Sequence, residues 1–295
     1  VRILHGLSAA LLFTSVSTYG ADQVPEARRT QGVTLFAAST MLPAAIGGWV
    51  GDVVLAAAGF HGVLFAAFGF ATTALLLSIP LPEQRPARAD RAAAHRHGGF
   101  RRVMLQGNLL PLWHLTLWIG VALTGYTTFM RTYVDDTGIG SVGLFFITYA
   151  CTAVALRLFA AGVPDRFGRT RVLYPSLVAI SAGYLTLALG SSTASTAVAG
   201  MLCGGGLGYV YPLLFTGVVN RSSAEERGSA MAAFSLFFDV GALAGSPILG
   251  WVIVHFGYAA MFSTAGVLVL LAAAVFAVWD RDLILRRRPP VPEST

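Results

Sequence analysis

Residues 162–171 read Gly-Val-Pro-Asp-Arg-Phe-Gly-Arg-Thr-Arg and separate two long apolar segments, residues 139–163 and 172–190. Proline and glycine favour a tight turn at this point, and the turn carries a cluster of arginines. A helix needs about 20 predominantly apolar residues to cross a hydrocarbon core about 30 Å thick. The stretch therefore predicts two membrane-spanning helices joined by a short basic turn.

The same alternation of apolar segments and short polar connections continues along the whole chain. The segments lack sustained period-two alternation and are about twice as long as a membrane β-strand needs to be, which argues against a β-barrel. Proline and glycine inside them are tolerated in spanning helices. Nine spanning helices are predicted, at residues 3–20, 31–51, 60–80, 107–129, 139–163, 172–190, 195–219, 229–253 and 258–279.

Composition agrees with a membrane protein. The 295-residue chain is 55% hydrophobic and 12% charged, whereas soluble domains carry about 25% charged residues. The net charge of +6 comes from arginine, since the chain has no lysine. Cys151 and Cys203 both lie inside apolar segments, where they are expected to be small packing residues rather than a disulfide or a metal site.

The arginines alternate between loops, which predicts the orientation of the chain. Arginine-bearing loops contain Arg28 and Arg29, residues 85–102, Arg166 to Arg171, Arg221 and Arg227, and residues 281–288. Loops 52–59, 191–194 and 254–257 contain none, and loop 130–138 has Arg131 beside two aspartates. Because arginine resists translocation, the arginine-bearing loops and the C-terminus should be cytoplasmic, and the N-terminus outside.

The long polar stretch after residue 80 divides the chain. Residues 1–80 hold three predicted helices, residues 81–106 form a cytoplasmic linker, residues 107–280 hold six helices, and residues 281–295 form a basic cytoplasmic tail. The tail is expected to lie against anionic lipid headgroups. A nucleic-acid role is not expected.

An internal repeat aligns Gly6 to Arg28 with Gly205 to Arg227. Duplicated halves are typical of transporters. If the first half resembles the second, three helices are missing before residue 3.

Three motifs resemble those of the major facilitator superfamily. The Gly162 to Arg171 run resembles the family's loop signature in its second-half copy. Residues 2–10, Arg-Ile-Leu-His-Gly-Leu-Ser-Ala-Ala, are similar to its fourth-helix motif, with His5 and Ser8 departing. Residues 204–212 and 224–230 are similar to its tenth helix and the following loop. The resemblance implies an all-α transmembrane bundle, of which this chain is helices four to twelve, N-terminally truncated.

The basic turn is the first candidate functional site. As a gate, Asp165 would face the N-terminus of a neighbouring helix, whose dipole favours an anion, and the arginines would bind carboxylates that separate on opening. The candidate gating residues are Gly162, Asp165, Arg166, Gly168 and Arg169. The alternative is a basic anchor that only fixes orientation.

Two charged residues are candidates for proton coupling. Asp239 lies near the middle of the segment 229–253, and intramembrane charges are costly and usually functional. Its alternative role is that of a structural partner. The resemblance implies a coupling role for Arg2, whose alternative is to reach towards the headgroups at the start of the chain.

Aromatic residues of the segments 107–129 and 195–219 are candidates for a substrate cavity, because the resembled fold turns helices seven and ten towards it. The candidates are Trp118, Tyr126, Tyr209 and Tyr211. Each could instead serve packing or an interfacial belt.

Glycine pairs have a simpler interpretation. Gly241 and Gly245 are spaced to let helices approach closely, so packing is a sufficient explanation for them. Residues 39–48 keep only part of the family's fifth-helix antiporter pattern, which leaves efflux only narrowly favoured.

The sequence therefore predicts a secondary transporter of a small organic solute in the plasma (inner) membrane, coupled to protons, with efflux of a drug or sugar type slightly favoured. No cofactor or metal is expected. The alternatives are an inactive truncated fragment and a polytopic membrane enzyme, although no H-E-x-x-H, nucleophile elbow or Walker loop is present.

Overall fold

A computed structural model describes residues 42–81, 100–160, 162–223 and 226–280, together with six isolated positions between Leu4 and Val16. These residues are helical or lie in turns, with no strand among them, which confirms the predicted all-helical class. The chain forms two compact units, Val1–Ala87 and Arg88–Thr295. Their boundary falls within the linker predicted at residues 81–106.

The first unit contains helix α1, Leu42–Ser78, which is broken at Gly59. Gly59 has φ 67° and ψ −170°, a conformation that is readily adopted only by glycine. A single residue thus replaces the loop predicted at residues 52–59. The predicted helix 3–20 and residues 31–41 of the second lie outside the continuously described residues.

The described part of the second unit contains seven helices. They are α2 (Phe100–Met104), α3 (Leu110–Thr137), α4 (Val142–Phe159), α5 (Val163–Phe167), α6 (Arg169–Leu189), α7 (Thr193–Arg221) and α8 (Arg227–Trp279). At 1.5 Å per residue, the 53 residues of α8 would extend about 80 Å, far more than a bilayer core. Gly257, at φ 80° and ψ 176°, divides it into residues 227–256, here called α8N, and residues 258–279, called α8C.

Five helices of the described chain are long and apolar enough to cross a membrane: Trp49–Ser78, Val142–Phe159, Arg169–Leu189, Thr193–Arg221 and Arg227–Trp279. Helix α3 is also long enough to span, at 28 residues. His114 and the threonines and tryptophans of α3 make it less apolar than the five helices above. The breaks at Gly59 and Gly257 divide two of the five into shorter pieces. The predicted apolar segments from residue 60 onwards all correspond to helical pieces.

Helix α7 packs on α4 and α6 through its glycines. Gly200 and Gly204 face the backbone of α4, and Gly206 faces the backbone of α6. A Cβ on Gly206 would stand 2.5 Å from the Ser176 carbonyl oxygen. Lipid tails are as apolar as leucine, so association in a bilayer depends on such close backbone approach.

Helix α3 also packs on α8N through glycines that allow close approach of the two backbones. A Cβ on Gly241 would collide with the carbonyl oxygen of Leu117, and one on Gly245 would lie 2.7 Å from the carbonyl oxygen of Val121. From the other side, Gly120 approaches the backbone of Phe238. The packing role predicted for Gly241 and Gly245 is confirmed.

A cluster of aromatic side chains fills the centre of the second unit. Tyr126 of α3 lies 5.2 Å from Phe145 and 5.7 Å from Tyr149, ring centre to ring centre, and 5.8 Å from Tyr184. The Tyr184 hydroxyl donates a hydrogen bond to the carbonyl of Ala122. These contacts join α3, α4 and α6 around one core.

Candidate transport and gating site

The predicted basic turn contains a short helix. Helix α4 ends at Phe159, and α5 occupies Val163–Phe167 with Pro164 in its first turn. Gly168, at φ 94° and ψ 134°, then redirects the chain into α6. A residue with a side chain would be strained at Gly168, which accounts for that glycine of the motif.

The gating candidates of this turn lie at the surface of the unit. Gly162, Arg166, Gly168 and Arg169 are exposed, and the Arg166 guanidinium lies 5.6 Å from the centre of the Phe167 ring. The backbone of Asp165 belongs to α5, whereas its side chain lies outside the described part. The expected contact of Asp165 with a helix N-terminus therefore stays a prediction.

Tyr209 connects helix α7 to this turn. Its hydroxyl donates a 2.8 Å hydrogen bond to the carbonyl of Ala160, the C-terminal cap of α4. The last carbonyls of a helix lack partners within it, so an external donor stabilises the end. Tyr209 was predicted to line a cavity, and in this structure its hydroxyl holds the point where α4 leads into the basic turn.

We expect Tyr209→Phe to loosen the basic turn without unfolding the unit. Loss of one part-buried hydrogen bond costs about 1 kcal/mol, and hydrogen–deuterium exchange of residues 160–169 should rise. Tyr174→Phe is the control, because the Tyr174 hydroxyl is buried and has no hydrogen-bond partner among the described residues. Equal exchange in the two variants would show that the Tyr209 bond does not hold the turn.

An ion pair that the sequence did not predict lies at the end of α7. The two terminal nitrogens of Arg221 donate to the two carboxylate oxygens of Asp280 at 3.0 and 2.7 Å. Asp280 is 2% exposed and the Arg221 side chain 21%. Asn108 and Arg221 also exchange hydrogen bonds through their backbone carbonyls. The start of α3 and the ends of α7 and α8 are thereby fastened together.

The ion pair borders a cavity of about 190 Å³ whose other lining residues include Leu112, Leu173 and Leu214. Arg169 of the gating turn lines the same cavity. The basic turn and the Arg221–Asp280 pair are therefore on one side of the unit. Nearby, the Gln106 amide donates to Glu226 at 2.9 Å, which joins the end of the linker to the start of α8.

Asp239 lies on α8N beside an aromatic group. It is exposed on the surface of the unit, and Phe238 beside it is partly buried. The Tyr211 ring of α7 lies 5.7 Å from Phe238 and 5.3 Å from Phe234. The predicted site residue Tyr211 thus packs against α8N at the residue that precedes Asp239 in the chain.

Two of the other candidates, Trp118 and Tyr126, have described neighbours of their own. Trp118 is next to His114, whose ring lies 6.0 Å from Trp279 on α8C. Tyr126 is 3% exposed within the core described above. Arg2 lies outside the described residues, and in the described part no group of histidine, cysteine or acidic side chains could hold a metal ion.

Helices of bilayer length that approach one another closely at glycines are typical of multi-pass membrane proteins. The sequence model of the Major Facilitator Superfamily matches residues 1–216 and 135–295. The chain therefore belongs to the major facilitator superfamily, and it is a transporter rather than an enzyme. The two matches overlap over residues 135–216.

Relatives and a solved structure agree with this assignment. The chain is 25% identical over 278 residues to the uncharacterized MFS-type transporter STM4428 of Salmonella typhimurium, covering 93% of this chain and 69% of that protein. It is 22% identical over 298 residues to the MFS-type transporter YhhS of Escherichia coli, covering 99% and 69%. The human organic anion transporter MFSD10 (TETRAN) matches with a TM-score of 0.64 and 19% identity, over 88% of this chain and 66% of that one. This last likeness shows the fold alone.

Proposed function

We propose that the protein is a proton-coupled secondary transporter that exports a small organic solute across the plasma membrane, with its C-terminus in the cytoplasm. Asp239 carries the proposal. It is an acidic residue inside α8N, and among the described residues it forms no ion pair. A carboxylate in such a position is costly unless a proton or a cation neutralises it. The Asp239 carboxylate can therefore exchange a bound proton for a bound cation during transport.

The basic turn supplies the gate in this proposal. Asp165, Arg166 and Arg169 would close the cytoplasmic side through ion pairs that separate when the transporter opens inwards. The bond from Tyr209 and the proximity of Arg169 to the Arg221–Asp280 pair support a turn that is held firmly at both ends. Arg2 is assigned a part in proton coupling on the resemblance of residues 2–10 alone.

Proton coupling is tested with Asp239→Asn in inside-out membrane vesicles. Vesicles that contain the unaltered chain should release trapped protons when a transported solute is added, as followed with a pH-sensitive dye. We expect Asp239→Asn to abolish this release, since an amide cannot carry the proton. A panel of solutes is first screened with the unaltered protein to identify one that is transported.

Asp135→Asn is the matched control, because Asp135 pairs with Arg131 at the exposed end of α3. It should release protons normally, and both variants should reach the membrane in equal amounts. Unchanged proton release by Asp239→Asn would remove Asp239 from the coupling mechanism.

A further inference from the structure

We propose that the cavity beside the Arg221–Asp280 pair is a binding site for a small organic acid, namely a carboxylate attached to a short apolar group. Asp239 does not line this cavity, so the inference goes beyond the proposed transport function and does not depend on proton coupling. An acid bound there would act on the gating turn through Arg169, which lines the cavity.

The apolar part of the cavity is built by four helices. Its buried lining residues are Leu112 of α3, Leu173 of α6, Leu214 of α7 and Phe276 of α8C, each at most 6% exposed. The cavity, of about 190 Å³, is larger than an apolar cavity of about 150 Å³ that binds benzene in another protein. It therefore has room for an apolar group of about six carbons.

The charged lining residues select a negative ligand. They are Arg169, Arg221 and Asp280. Arg221 and Asp280 neutralise each other through their bidentate contact, so the lining as a whole carries one positive charge. A guanidinium has five N–H donors, which allows Arg169 to bind a carboxylate in addition to a neighbouring protein group. A monoanion matches this charge.

The start of helix α6 adds to the preference for an anion. Thr170 in its first turn lines the cavity, and the N-cap residue Gly168 has no side chain with which to cap the helix. The first N–H groups of a helix have no partners within it, and the positive end of its dipole favours negative charge. The helix end and Arg169 thus act in the same direction.

The size of the cavity favours a soluble acid over a membrane lipid. A lipid acyl chain extends through about half of a hydrocarbon core about 30 Å thick. Such a chain is much longer than the group of about six carbons that the cavity can hold. We therefore assign the site to a short soluble organic acid.

The test compares four probes on the purified full chain in detergent. Hexanoate has the charge and the apolar group, hexan-1-ol and hexylammonium have the apolar group without the negative charge, and acetate has the charge alone. We expect hexanoate to raise the melting temperature in a saturable way, because a ligand that binds the folded state stabilises it. The other three should have little effect. Hexanoate should also slow hydrogen–deuterium exchange at residues 166–172.

Two pairs of variants locate the site. Arg169→Gln should weaken hexanoate binding at least about tenfold, because a charge-assisted hydrogen bond is lost. Arg171→Gln is the matched control, since Arg171 is also exposed and lies in the same helix turn but does not line the cavity.

The second pair fills the cavity from Gly217. A Cβ there would meet the Leu112 methyl groups at 3.4 and 3.7 Å, which are ordinary contacts. Gly217→Ala should therefore bind hexanoate nearly as well as the unaltered chain. Gly217→Leu should bind it at least about tenfold more weakly, because the larger side chain occupies space that the ligand needs. Each variant is first checked for a single symmetrical peak in size-exclusion chromatography.

Three outcomes would overturn the inference. The first is stabilisation by hexan-1-ol or hexylammonium that equals the stabilisation by hexanoate. The second is equal hexanoate binding by Arg169→Gln and Arg171→Gln. The third is displacement of hexanoate by phosphatidylglycerol added to the detergent micelles, which would assign the cavity to a lipid. None of these results depends on proton release in vesicles, so the site and the proposed transport function stand or fall separately.

Discussion

Gly204→Ala is expected to destabilise the second unit by about 1–3 kcal/mol, whereas the neighbouring change Gly205→Ala should leave it as stable or slightly more so. A Cβ on Gly204 would collide with the carbonyl oxygen of Tyr149 and stand 2.7 Å from its Cα. Those atoms belong to the backbone of α4 and cannot rotate away. Helix α7 must therefore separate from α4, which disturbs the core around Tyr149.

Gly205 provides a closely matched control. A Cβ there would meet the Thr152 methyl group at 3.5 Å, an ordinary van der Waals contact. Alanine favours a helix over glycine by up to about 1 kcal/mol, so the two variants should move in opposite directions. Thermal unfolding in detergent measures both, and equal melting temperatures would refute the close α7–α4 contact.

Asp280→Ala is expected to cost about 3–5 kcal/mol, because it leaves the Arg221 guanidinium mostly buried without its partner. The pair is bidentate, and Asp280 is almost fully buried. Because the Arg221 side chain is 21% exposed, the expected cost lies towards the lower end of this range. The fastening of α3, α7 and α8 at this end of the unit should loosen as well.

The double change Arg221→Met with Asp280→Leu separates charge from packing. Replacing a buried ion pair by apolar side chains of similar size is often neutral or stabilising, so the double variant should regain most of the lost stability. The double-mutant cycle is completed with Arg221→Met and Asp280→Leu alone, measured by thermal unfolding. A strictly additive cycle, in which the double variant is as unstable as the sum of the two, would mean that the two side chains do not interact.

The membrane-spanning architecture could be predicted from the sequence, because it depends on the length and the apolarity of each segment. The run of apolar segments from residue 60 onwards predicted the helices of the described region. Sequence could not show that Gly59 and Gly257 would each replace a loop, since that depends on a backbone conformation with positive φ at one residue. The close-contact role of Gly241 and Gly245 was predictable because small residues at four-residue spacing lie on one helix face.

The candidate site was only partly predictable, because the rotation of each helix decides which side chains meet. Tyr209 and Tyr211 are two residues apart on α7 and so lie about 200° apart around it. The first faces the end of α4 and the second faces α8N. Arg221 and Asp280 are 59 positions apart in the chain, and no local pattern connects them.

The direction of transport and the role of the gate both depend on which side of the membrane holds the arginine-bearing turns. Single cysteines report this directly in a Cys151→Ala chain, because the remaining Cys203 is buried. Phe167→Cys places a thiol in the basic turn, and Ser191→Cys places one between α6 and α7, both at exposed positions. In intact cells, a membrane-impermeant maleimide should react with Ser191→Cys and spare Phe167→Cys until the membrane is opened. Labelling of Phe167→Cys but not Ser191→Cys in intact cells would contradict the cytoplasmic gate and the orientation proposed here.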